Sequence, residues 1–311
     1  MISIAMATYN GEKYLCEQLD SILNQTCTDF ELIICDDCSQ DSTVAILREY
    51  GEKDSRIQLH INEKNLGFKK NFEKAIKLCQ GEYIALADQD DIWTPNHLEV
   101  LLEKLGDCCL VCSNAQFIDS DGLLLGGAVK PESVYIADKG NGQFLQLLHG
   151  NFVQGCTSLF KRELVSSLFP IPEEFKMHDY WIGLIATIKS GINYVPEKLV
   201  NYRVHSNNAS EPKQVTRWMR ILEYFKSEER YTERIILLQS IPSHRLSEEQ
   251  QGILNTTIDF FICSQNKSNL IKRILYFKKN YSLIYSCKSR KLFLFRLIKT
   301  IFLIKSQATS G

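Results

Sequence analysis

The chain has 311 residues, 44% of them hydrophobic and 23% charged, with 16 Gly and 7 Pro; this excludes a disordered, collagen-like or low-complexity polypeptide and leaves room for about two domains of ~150 residues. Its formal charge of −1 conceals a split, because residues 260–311 hold 11 Lys and Arg and no Asp or Glu while residues 1–259 sum to −12, so an anionic surface is the expected partner of the tail and nucleic acid is not expected. No run reaches the ~18 apolar residues of a membrane span, and Met-Ile-Ser-Ile-Ala-Met lacks the basic start of a secretory leader, so a cytoplasmic location is expected.

The first third alternates strand and helix. Residues 2–8 form a short apolar run, and 12–25 carry Leu15, Leu19, Ile22 and Leu23 at helical spacing. Residues 30–35 read as a buried strand ending in Asp36-Asp37, 42–50 as a helix, 57–61 as a strand and 68–79 as a helix. Residues 83–87 form a strand ending in Asp88, and 97–105 a helix. Such alternation predicts an α/β fold, a mostly parallel sheet with helices on both faces. Further on, 110–118 reads as a strand, 141–148 as a short helix, 177–189 as a helix stopped by Gly191 and 192–204 as strand-rich. From 215 the pattern turns helical, through 215–238 and 248–263. We therefore divide the chain into a domain of residues 1–210 and a helical C-terminal region of residues 211–311 with its basic tail.

Eleven cysteines sit mostly in apolar runs, where a reduced thiol behaves as a small buried hydrophobe. Cys35 and Cys38 with Cys109 and Cys112 have a zinc-ligand spacing, which is the sharper alternative.

In a parallel sheet ligands bind beyond the carboxyl ends of the strands, and the polar loops of this chain follow its strands. Ala7-Thr8-Tyr9-Asn10, Cys35-Asp36-Asp37-Cys38-Ser39, Asn65-Leu66-Gly67 and Asp88-Gln89-Asp90-Asp91-Ile92-Trp93 come in order after four predicted strands. Three carboxylates within four residues repel one another unless a cation offsets them, and hard oxygen donors suit Mg²⁺ or Mn²⁺. A solvated acidic turn is the bland alternative.

These segments resemble family 2 glycosyltransferases of the Rossmann-like GT-A fold. With His178-Asp179-Tyr180-Trp181 they look most like bacterial polysaccharide and O-antigen transferases, among them rhamnosyltransferases. The resemblance implies an inverting, metal-dependent transfer of one sugar from a nucleotide diphosphate sugar, dTDP-rhamnose or a UDP-hexose, to a lipid-linked glycan at the inner face of the cell membrane. It implies Asp90 as direct ligand of Mg²⁺ or Mn²⁺, Asp88 as its partner toward ribose or metal-bound water, and His205 near the metal or diphosphate. Asp37 is the expected acceptor of the N3–H of uracil or thymine, with Ala7, Thr8 and Tyr9 lining the base pocket. Asn65, Gly67, Asn71 and Gln89 are expected along the nucleotide, and Arg203 at its diphosphate. Asp179 takes the position of the base that removes the acceptor proton, with His178, Trp93 and Trp181 as sugar or acceptor contacts.

Each assignment has a structural alternative. Asp36 and Asp37 also suit a cap before Ser42, Asp179 suits a helix N-terminal charge, His205 a structural role, and both tryptophans suit the core. Gln214-Val-Thr-Arg-Trp218 matches a signature of processive synthases, which carry membrane spans; we read it as coincidental. A sugar nucleotidyltransferase is the rival enzyme, disfavoured because Asn10-Gly11-Glu12 lacks a glycine-rich triphosphate loop. A non-catalytic nucleotide- or glycan-binding scaffold is the rival of another class, and it has no need of a base opposite a metal.

Overall fold

The computed structural model describes residues 1–130, 136–205, 227–266 and 269–284; the Gln214 to Trp218 segment and the tail beyond residue 284 lie outside them. Strands β1 (Ile2–Thr8), β2 (Phe30–Asp36), β3 (Ile57–Ile61), β4 (Tyr83–Ala87), β5 (Ile92–Trp93), β6 (Leu110–Ile118), β7 (Ser158–Lys161) and β8 (Ile192–Arg203) form one sheet in the order β3-β2-β1-β4-β7-β6-β8-β5. β3, β2, β1 and β4 are mutually parallel, joined by α1 (Leu15–Leu23), α2 (Thr43–Lys53) and α3 (Phe68–Leu78). The pairs Thr8 with Asp36, Asp36 with Ile61 and Met6 with Ala87 bring the carboxyl ends of these strands to one edge. That register makes the four polar loops neighbours.

β1 and β2 are buried almost throughout, as expected of central parallel strands covered on both faces. The first helix starts at Leu15, three residues later than its pattern suggests, because the amides of Tyr14 and Leu15 both turn back onto Gly11 O, at 3.1 and 3.2 Å. β7 pairs antiparallel with both β4 and β6, and β5 antiparallel with β8, so the sheet is mixed. The long β8 keeps parallel pairing with β6 only through register shifts beside Asn114, opposite Pro196. A residue without an amide proton cannot join the ladder there. Helices α4 (His97–Leu105) and α6 (His178–Lys189) complete this unit.

The lower end of β1 is overdetermined. Gly81 N donates to Ser3 Oγ (2.7 Å), which donates to Glu31 Oε1 (2.5 Å). A methyl group at Gly81 would stand 2.7 Å from Ser3 N and 2.9 Å from Ile2 C, backbone atoms that cannot yield cheaply. Gly81→Ala is expected to cost about 1–3 kcal/mol, a fall of several degrees in the melting temperature at ~2–4 °C per kcal/mol. An unchanged thermal melt would mean that β1 shifts freely.

The second unit is helical: α5 (Asn141–His149), α7 (Ser227–Gln239), α8 (Glu248–Gln265) and α9 (Leu270–Ile284). The division assigns α5 here although it precedes β7 in the chain. α8 opens with a capping box, Ser247 Oγ accepting from Gln250 N and Ser247 N donating to Gln250 Oε1, which satisfies two otherwise orphaned donors. Tyr276 knits the unit together: its hydroxyl lies 2.8 Å from both His149 Nε2 and Thr257 Oγ1, and its ring stacks on Phe260 at 4.4 Å. Among the described residues no helix is long and apolar enough to cross a membrane.

The cysteine pairs do not meet. Cys109 Sγ lies against the carbonyls of Ala186 and Gly191, and Cys35 and Cys112 are buried in separate strands. Among the described residues the one group with metal-ligand proximity is Asp88, Asp91 and Cys156.

Candidate active site

A cleft of about 420 Å³ opens at the shared strand edge, between the loops of β1 to β4 and the start of α6. Its first wall is built around Asp36 and Asp37. Asp36 accepts from Thr8 Oγ1 (2.9 Å), Ser39 N (2.9 Å) and Ser39 Oγ (2.6 Å), and so ties β1 to the loop after β2. Asp37 Oδ1 accepts from Asn62 Nδ2 (2.8 Å) and Leu66 N (2.7 Å), and Oδ2 from Gly67 N (2.8 Å). A carboxylate has about four acceptor positions, so one on Oδ2 is left for a ligand. Asn71 Nδ2 reaches Cys35 O (2.6 Å), and Asn65 Oδ1 accepts from Gly67 N (3.0 Å). Gly67 has φ +82°, a conformation that favours glycine. Ala7, Thr8, Tyr9, Asp37, Asn65, Gly67 and Asn71 all line the cleft.

The floor is the acidic loop after β4. Gln89 clamps it to the loop after β1 by a reciprocal pair, Tyr9 N to Oε1 (2.8 Å) and Nε2 to Tyr9 O (3.1 Å). A Cβ at Gly11 would fall 2.3 Å from Gln89 Oε1, so this clamp requires glycine there. Asp88 and Asp90 line the cleft. Burial first, then the charges of Asp90 and Asp179, push the Asp88 carboxyl well above the usual carboxylate range. Asp91 is buried beneath, accepts from Arg203 N (3.0 Å), and is raised by burial and by its two acidic neighbours.

Arg203 departs from expectation. It is fully buried, and its guanidinium donates to Asp90 O (2.8 Å), Ser120 O (3.2 Å) and Glu17 Oε2 (3.0 Å) while lying 4.6 Å over the Tyr14 ring. It braces the acidic loop and is not among the residues that line the cleft. His205 stacks beside Tyr14 at 4.9 Å and places Nε2 2.9 Å from Asp90 Oδ2. That contact puts His205 beside the candidate ligand carboxylate, where an imidazole can orient it, in keeping with its expected place near the metal.

The start of α6 completes the lining. Asp179 lies in its first turn, nine-tenths buried, with Oδ2 accepting from Gly155 N (3.1 Å). His178 stacks on Phe72 at 4.1 Å and lines the cleft; burial pushes its imidazole down to about 3, so it is neutral at pH 7. Trp181 and Trp93 are not sugar platforms. Trp181 is fully buried, donates Nε1 to Leu168 O (2.7 Å) and packs on Phe175, while Trp93 is 2% exposed against His97. Phe68, Phe72 and Met177 also line the cleft, and sequence reasoning missed them; Gln154 and Cys156 line it too. The aromatic pair at i and i+4 opening α3 was a readable signal for the first two.

The donor set fits a divalent cation. Asp88, Asp91 and Cys156 have ligand atoms within 4.8 Å of one another, and the like-charge crowding that adds to burial in raising Asp88 is what a cation relieves. Of the three aspartates in the acidic loop, Asp88 and Asp90 line the cleft, and their oxygens are of the hard type that Mg²⁺ and Mn²⁺ prefer.

Residues 3–169 match the sequence model of Glycosyl transferase family 2. An uncharacterized glycosyltransferase of Methanocaldococcus jannaschii is 34% identical over 211 residues, 66% of this chain and 71% of that protein. UDP-Glc:alpha-D-GlcNAc-diphosphoundecaprenol beta-1,3-glucosyltransferase WfgD of Escherichia coli is 29% identical over 222 residues, 68% of this chain and 83% of that protein. Of solved structures, S. aureus TarS 1-349 in complex with UDP-GlcNAc aligns with a TM-score of 0.61 at 19% identity, covering 96% of this chain and 79% of that one. The mannosyltransferase PcManGT of Pyrobaculum calidifontis in complex with GDP-Man and Mn²⁺ aligns at 0.53 and 15% identity, covering 97% and 84%. The structural likenesses speak for a shared fold.

Proposed function

We propose, for a chain that belongs to glycosyl transferase family 2, that it moves a single sugar from a UDP- or dTDP-linked donor to a hydroxyl of a lipid-linked glycan with inversion at the anomeric carbon. The observation that carries this reading is one cleft lined by Asp88, Asp90 and Asp179 together. An inverting single displacement needs charge neutralisation at the leaving group and a base on the opposite side of the sugar. The acceptor oxygen attacks C1 as the bond from C1 to the diphosphate oxygen breaks, the acceptor proton passes to Asp179, and the nucleoside diphosphate departs. Asp88 and Asp90 would hold a Mg²⁺ or Mn²⁺ ion, whose charge offsets that of the departing diphosphate. Gly155 N aims the Asp179 carboxylate, and the remaining acceptor position of Asp37 suits the N3–H of uracil or thymine.

A UDP sugar leads among donors, since TarS was solved with UDP-GlcNAc and WfgD is named for UDP-Glc; dTDP-rhamnose follows. The WfgD name, with its diphosphoundecaprenol-linked acceptor, supports a lipid-linked acceptor for this chain. We assign catalysis to residues 1–210 and peripheral association with the inner membrane face to the basic region of residues 211–311.

The test is a thermal-shift screen of nucleotide sugars with and without Mn²⁺. At one hundred times Kd a ligand stabilises by about 2.7 kcal/mol, or roughly 5–10 °C for a domain of this size. Stabilisation by a UDP or dTDP sugar that requires the ion is expected. Equal stabilisation by nucleoside triphosphates would favour nucleotidyl transfer, and donor binding without turnover on any acceptor would favour a scaffold.

A further inference from the structure

The helical unit contains a second cavity, of about 800 Å³, lined by residues of α5, α8 and α9, and it lies within the ~300–1,000 Å³ of ordinary ligand sites. Leu145, Ile253, Phe260 and Tyr276 give it apolar sides. The Tyr276 hydroxyl is engaged by His149 and Thr257, so the groove meets the ring and not a polar group. Along α9 the rim reads Lys272, Leu275, Lys279, a cation, an apolar residue and a cation within two turns of one face. Leu275 is 62% exposed, and Ile271, one turn earlier, is 73% exposed. α9 carries Lys272, Arg273, Lys278 and Lys279 and no acidic residue. The acidic residues of the groove, Glu249 and Asp259, both belong to α8. The cavity therefore has apolar sides, a cationic α9 wall where the buried Arg273 joins Lys272 and Lys279, and acidic residues on the α8 wall, with Leu275 exposed at its mouth.

We propose that this groove takes one anionic phospholipid, with its chain among Leu145, Ile253 and Phe260 and its phosphate at Lys272 and Lys279. A fully apolar ligand would leave the lysine rim unused, and a free phosphate would leave the apolar sides empty. The acidic residues of α8 turn the head toward α9. An anionic leaflet draws in basic segments at ~1 kcal/mol per Lys or Arg, and residues 260–311 carry eleven of them and no acid, so the exposed α9 rim meets such lipids at high local concentration. This inference does not rest on the glycosyl-transfer reading.

Gly252 supplies the test. It lines the groove, and a Cβ added to it meets nothing within 4 Å, so Gly252→Phe fills the cavity from an open helix position where glycine is itself unfavourable. The full chain is titrated calorimetrically with dihexanoyl phosphatidylglycerol below its micellar concentration, with dihexanoyl phosphatidylcholine and with glycerol 3-phosphate. We expect one saturable site for the phosphatidylglycerol, at least tenfold weaker for the other two probes and at least tenfold weaker in Gly252→Phe. In the wild-type chain, independently of any variant, bound lipid should slow maleimide alkylation of groove-lining Cys263 severalfold and leave exposed Cys16 unaffected. Undiminished binding by a folded Gly252→Phe, equal affinity for phosphatidylcholine or glycerol 3-phosphate, or unprotected Cys263 at lipid saturation would each overturn the assignment.

Discussion

Asp90→Ala is expected to reduce sugar transfer by about three orders of magnitude or more and to abolish the Mn²⁺ dependence of UDP or dTDP binding. Metal stabilisation of a developing charge amounts to several kcal/mol, and each 1.36 kcal/mol is a factor of ten in rate. The loop should survive the change, because Arg203 grips the main-chain oxygen of Asp90 and the side chain of Asp91 is held by Arg203 N. The fall is thus a property of the lost carboxylate and not of a collapsed floor. Calorimetric titration of the nucleoside diphosphate, with and without Mn²⁺, decides it against a thermal melt of the same preparation. If the mutant keeps the metal-dependent affinity of wild type, the ion sits instead at Asp88 with Asp91 and Cys156, the group whose donor atoms already lie closest together.

Much of this site could be read from the residues because the parallel half of the sheet announces itself. Four βα steps with apolar strands and polar ends put those ends at one edge of a parallel sheet, where the register of β1 to β4 holds them. β7 and β5 were not legible. They are four and two residues long, too short to show a period, and their antiparallel pairing is a tertiary choice. Without them the reach of β8 under the acidic loop was hidden, and with it the role of Arg203. A cation beside a motif reads as a ligand contact until one knows that it lies beneath the loop. The tryptophans failed for a different reason, and here a signal existed. Every residue of α6 from His178 to Thr187 is buried, and a helix apolar on all sides is a core helix. Only its first turn borders the cleft, which leaves Asp179 in the site and Trp181 out of it.

That placement sets the second large effect. Asp179→Asn should retain donor binding and lower single-turnover transfer by about 10²–10⁴-fold, the range of a positioned general base. Asparagine keeps an oxygen able to accept from Gly155 N, now 3.1 Å from Asp179 Oδ2, so the start of α6 should hold its geometry, but a neutral amide does not take a proton at pH 7. The substitution also removes a negative charge that helps to raise the Asp88 carboxyl. Protons then compete less with a cation at Asp88, but the lost charge would also have attracted that cation, so the two effects oppose and metal-dependent donor affinity should stay within a few-fold of wild type. A role for Asp179 as a mere helix-end charge predicts something else, a loss of stability of about 0.3–1 kcal/mol with transfer intact in the folded fraction. The deciding experiment pairs donor affinity with single-turnover transfer on one preparation. Transfer within a few-fold of wild type would assign the base elsewhere, and loss of donor binding together with transfer would make Asp179 a wall of the donor pocket.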